Sequence, residues 1–173
     1  SLGTTRTLEH GLDTATLQAV GLPAAVAVAP VAALGAGFDA GSAYVLRADP
    51  LALVAGRDDV LVRGRVDDLS PAHVEALRTA LDAHFGTDGL AFHAPRPDAW
   101  FVTATSNVPV HTTPLRALRG PLQPFLPGGE HGRIWRRWLS EMQMLLHAHP
   151  LNAQRETAGQ VPVTGLWIAE GGT

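Results

Sequence analysis

His147 and His149 are the first residues whose types and spacing point to chemistry. Imidazoles two apart share one side of a strand, where they can bind a metal together, but they diverge on a helix. No third histidine or carboxylate stands nearby at a recurring metal-ligand spacing, and a helix-end role accounts for the pair, so no metal site is expected. On the same predicted helix, Arg136, Ser140, Gln143 and His147 form a polar stripe that fits either a ligand-facing or a solvated face. Pro127-Gly128-Gly129-Glu130-His131-Gly132-Arg133 places glycines at a helix start, where free amides and the dipole can hold an anion. Lacking the lysine and hydroxyl of a phosphate loop, it fits a plain helix entry better. The pairs Asp58-Asp59 and Asp67-Asp68 flank predicted strands and read as solvated turns rather than acid–base partners. No Gly-x-Ser-x-Gly elbow is present, and no catalytic residue is assigned.

Composition narrows the chemistry further. The absence of cysteine removes disulfides, zinc–thiolate sites, iron–sulfur clusters and thiol nucleophiles. All thirteen basic residues are arginine, which removes Schiff-base lysines and follows from a GC-rich coding bias as readily as from selection for guanidinium geometry. A net charge of −3 argues against nucleic-acid binding, which needs a basic excess to displace counterions. The apolar stretch from Ala19 to Leu34 is broken by Gly21, Pro23 and Pro30, so neither a membrane span nor a signal peptide is expected there. A length of 173 residues predicts one core, and the first residue, Ser1, leaves room for preceding chain.

The elements that would position these groups are read from periodicity. Residues 1–42 are poor in structural signals and are expected to be an appended segment, with the α+β domain over 43–173. Apolar runs at Tyr44–Arg47, Leu51–Ala55 and Val60–Arg63, separated by Asp49-Pro50 and residues 56–59, predict an antiparallel meander. Ser70-Pro71 opens a helix with Val74, Leu77, Leu81 and Phe85 on one stripe and Gly86 as its stop. Gly89–His93 and Trp100–Ala104 predict a hairpin, and the proline-rich passage 109–127 is expected to be irregular beyond a short helix near Leu115–Arg119. A second long helix runs from about Glu130 to His147. His149-Pro150 ends it, Asn152 caps a short helix closed by Gly159, and Pro162–Ile168 is the last strand. The fold class is therefore α+β, a single mostly antiparallel sheet with two main helices packed on one face. Trp135, Trp138 and Trp167 exceed the needs of one small layer, which leaves core burial and a homodimer surface as alternatives.

His147-Ala148-His149-Pro150-Leu151-Asn152-Ala153-Gln154-Arg155, followed by Gly159 and Pro162, resembles a stretch of archaeal-type cofactor-independent phosphoglycerate mutases. Arg47-Ala48-Asp49, Val62-Arg63-Gly64-Arg65 and the helix from Ser70 are similar in order to that family's inserted substrate domain. The chain also resembles a bacterial family labelled phosphoglycerate mutase-like, or RpfE-type regulatory protein. The resemblance implies that Arg47, Arg63, Arg65 and Arg155 grip phosphate or carboxylate and that His149 and Asn152 shape the same turn. It covers only the insert and not the metal-bearing core, so it implies a non-catalytic binding or regulatory domain without cofactors, cytoplasmic, for a small anion. Part of a phosphoryl-transfer enzyme and a homodimeric interaction module are the alternatives. Thr164 and Ala169 stand where that family has Asn and Arg.

Overall fold

The structure, a computed structural model, describes residues 28–57, 59–105, 115, 118 and 120–172. Of the expectations above, most of the appended segment, Asp58, and the short helix near Leu115–Arg119 apart from Leu115 and Leu118 lie outside the described residues. Among those described, five strands form one antiparallel sheet: β1 (Tyr44–Ala55), β2 (Val60–Arg65), β3 (Leu90–Arg96), β4 (Ala99–Ala104) and β5 (Gly165–Gly172). Helices α1 (Val28–Gly35), α2 (Pro71–Phe85), α3 (Gly132–His147) and α4 (Pro150–Thr157) complete it.

The organising element is β1. Arg47 pairs with both Phe101 of β4 and Ala169 of β5, and Leu51 pairs with both Arg65 of β2 and Gly165 of β5. A strand has two edges, so β5 occupies one while β4 and β2 share the other end to end. The Asp49-Pro50 turn expected within this stretch is not one: β1 is continuous through it. Pro50 lacks a donor, but its carbonyl accepts from Val66 N at 2.9 Å, and the Asp49 carboxylate is neutralised by two arginines, so the turn-forming tendency of Asp-Pro is outweighed.

Alternation along β1 divides the core. Leu46, Ala48 and Ala52 face α2 and α3, whose Leu77, Leu81, Phe85, Trp135, Trp138 and Met142 close the main cluster. Burying Trp135, Trp138, Met142 and Leu146 alone supplies roughly 6–12 kcal/mol of gross transfer free energy. On the other face, Val45 and Phe101 pack against Ala29 and Ala33 of α1, while Leu51, Trp167 and Ala169 pack against Leu118. Two main helices thus cover one face as expected, and α1 adds a small layer to the other. All four tryptophans are buried within the chain.

The helix ends show what the sequence signals were worth. Ser70 caps α2 by accepting from His73 N at 3.2 Å. Helix α2 ends at Phe85 with Gly86 as its C-cap, as expected, but Gly86 stays right-handed, a 3-10 turn follows over Gly86–Asp88, and the chain turns at Gly89, whose φ of 78° only glycine adopts readily. Helix α3 begins where Arg136 reaches back to the Pro127 carbonyl, and Gly132 is required there because a Cβ would meet that oxygen at 2.7 Å. The cap of α4 is His149, not Asn152: His149 Nδ1 accepts from Leu151 N at 3.2 Å. The last strand starts three residues later than expected, because Asn152 fastens Val163 into the preceding loop.

Candidate functional site

The six residues singled out for an anion fall in three places. Arg47 and Arg65 lie on the α1 side of the sheet around Asp49, which is 3% exposed. Arg47 Nη2 donates to Asp49 Oδ1 at 3.1 Å, and its Nη1 lies 3.8 Å from Glu170 Oε2. Arg65 Nε stands 3.6 Å from the same Asp49 oxygen and 2.9 Å from Asp67 Oδ1, without pointing its hydrogen at either. These contacts are charge pairs rather than hydrogen bonds. Arg65 Nη2 donates to the Asp98 carbonyl. Two cations facing three carboxylates leave little field for an incoming anion.

Arg155 is buried inside the helical layer and 1% exposed. Its Nε donates to Val161 O at 2.9 Å, Nη1 meets His73 Nδ1 at 3.0 Å, and Nη2 donates to Asp68. All three sides of the guanidinium are engaged, joining α4 to the first turn of α2. Asn152 beside it is equally committed. Its Nδ2 donates to Leu146 O at 2.7 Å and Val163 O at 2.8 Å, and its Oδ1 accepts from Val163 N at 2.9 Å.

The third place is a cleft of about 510 Å³ where the end of β1, β2 and the α3–α4 corner meet. Arg63, His147 and His149 line it, with Asn152 and Thr164 at its floor and Glu156 as its acidic member. Arg63 is exposed and, unlike the other three arginines, has no carboxylate partner among the described residues. Because His149 Nδ1 accepts a backbone proton, the neutral ring carries its own proton on Nε2, leaving a donor for a ligand. Beyond His147, a smaller hollow of about 360 Å³ continues the cleft past Ser140, Gln143 and Met144. The polar stripe of α3 therefore faces a cavity. Among the described residues, no three His, Asp or Glu side chains gather as metal ligands.

Sequence reasoning missed the part played by the end of β1. Thr164 Oγ1 accepts from Leu53 N at 2.7 Å and donates to Leu53 O at 3.1 Å, so one side chain satisfies a strand edge that β5 does not reach. The β-branched Thr164 next to Gly165 was the available signal. It passed as a mere departure from the family pattern.

No protein-family model matches the chain, and no curated protein sequence matches it. Among solved structures it is similar to the cofactor-independent phosphoglycerate mutase from Thermoplasma acidophilum DSM 1728, with a TM-score of 0.64 and 18% sequence identity. The match covers 85% of this chain and 42% of that one, so this chain spans less than half the length of the enzyme it resembles. What the two share is a fold, similar at a distance to that of part of a cofactor-independent phosphoglycerate mutase.

Proposed function

We propose that this chain is a binding domain of regulatory rather than catalytic role, and that it takes a small phosphorylated or carboxylate anion in the cleft at the α3–α4 corner. One observation carries the reading: of Arg47, Arg63, Arg65 and Arg155, Arg63 is the one with no carboxylate partner among the described residues, and it shares a 510 Å³ cleft with two imidazoles. A planar guanidinium suits bidentate contact with phosphate or carboxylate, and His149 Nε2 adds a second donor. The fold likeness to a phosphoglycerate mutase supports a phosphorylated acid as the first ligand to try.

Calorimetric titration of inorganic phosphate and 3-phosphoglycerate into the purified chain tests this. Heat saturating at or below millimolar ligand is expected, and Arg63→Gln should weaken binding roughly 10- to 100-fold, the worth of one charge-assisted hydrogen bond. No heat at millimolar ligand, or equal affinity in Arg63→Gln, sinks the proposal.

A further inference from the structure

The anion cleft and the hollow beside it share Leu53, Val54, Ala55, His147 and Thr164, forming one groove. Its two walls differ in kind. One is the free edge of β1: β5 begins at Gly165, and Thr164 Oγ1 takes the N–H and carbonyl of Leu53. Backbone groups two residues apart on a strand point to the same edge, so the N–H and carbonyl of Ala55 also face this side. No strand pairs with Ala55 there among the described residues. The opposite wall is the last two turns of α3, with Ser140, Gln143 and His147. Large apolar side chains flank the gap, Val54 46% and Met144 62% exposed, two of the four exposed large hydrophobics among the described residues.

A strand edge facing a helix across a gap, with a guanidinium and an imidazole N–H donor at one end, is built for extended backbone. From Ser140 to His147 the helix rises about 10 Å, the length of roughly three extended residues. A compact three-carbon acid would fill only the Arg63 end and leave Val54, Met144 and the Ala55 backbone in water. An acyl chain would cover Val54 and Met144 but offer nothing to the Ala55 donor and acceptor.

The geometry points to a peptide C-terminus as occupant: its last residues add as a short strand to β1 at Leu53–Ala55, and its carboxylate meets Arg63 and His149. The inference rests on the anion reading and names the class of that anion. Side chains of the peptide that point toward Val54 and Met144 are apolar, and Glu156 disfavours acidic ones near the carboxylate.

The test follows backbone amide NMR shifts of the full chain as a random-sequence hexapeptide pool with free carboxyl termini is added. A second arm uses the same pool amidated at its C-terminus, and a third uses phosphate, 3-phosphoglycerate and acetate. Shifts at Leu53–Ala55 and Ser140–His147 with the free acids are expected, at least tenfold weaker with the amidated pool and in Arg63→Gln. If the small anions bind and the peptides do no more than acetate, the peptide inference is overturned while the anion reading stands. Equal binding of amidated peptides overturns the carboxylate assignment. If nothing binds, both readings fall.

Discussion

Asn152→Ala removes one side chain but orphans two backbone groups. Val163 O loses its donor and Val163 N its acceptor, whereas Leu146 O still accepts from His149 N at 3.1 Å. Asn152 is 5% exposed and the adjoining Leu146 and Val163 are fully buried, so bulk water does not reach these groups in the native state. A buried unsatisfied polar group costs about 1–3 kcal/mol, which puts the sum for the two at roughly 2–6 kcal/mol. The space vacated by the amide admits one water able to bond one of the two, so the low end, about 2 kcal/mol, is expected. For a chain of this size that corresponds to a fall in Tm of about 4–8 °C. Urea unfolding followed by tryptophan fluorescence measures it directly, because all four indoles are buried. Asn152→Asp should be at least as damaging: it keeps the acceptor for Val163 N but turns a carboxylate toward two carbonyls. A loss below about 1 kcal/mol with an unchanged m-value would refute the argument that Asn152 holds the α3–α4 corner to the loop before β5.

Two further substitutions separate structure from binding. Arg155→Met should destabilise by about 2 kcal/mol, less than a fully buried pair would because Asp68 is half-exposed and stays solvated, and should leave phosphate affinity within twofold in calorimetry. Burial holds the His93 pKa below its ordinary value of 6.5, with Arg78 reinforcing and Asp82 opposing the shift. The unfolded chain therefore binds this proton more readily than the native one. The stability involved is complete above pH 6.5 and lost as pH falls through the lower folded value, so His93→Gln should flatten the wild-type decline between pH 7 and 5 in urea titrations.

The helical half of the fold was legible in the sequence because caps and stripes are local. Ser70-Pro71, the stripe from Val74 to Phe85 and the apolar run through Trp138 each specify an element within one or two turns. What escaped was decided by distant partners. Asp49-Pro50 reads as a turn until Arg65 arrives from β2 to neutralise the carboxylate. Asn152 reads as a cap until Val163, eleven residues on, claims its amide. The candidate site divides in the same way. Residue types identified arginines suited to an anion, but which of them remains unmatched depends on carboxylates such as Asp68, 87 residues from Arg155.

The placement of β5 has a consequence for how the chain is made. The segment that completes one edge of β1 is held to Leu53 by a residue 111 positions later. At ribosomal rates of about 5–20 residues per second, β1 emerges roughly 6–22 s before that partner exists. During that interval its apolar, twelve-residue length has one side ungoverned, a template for neighbouring nascent chains. Slowed elongation or premature termination before Thr164 should therefore send this protein to chaperones or into aggregates.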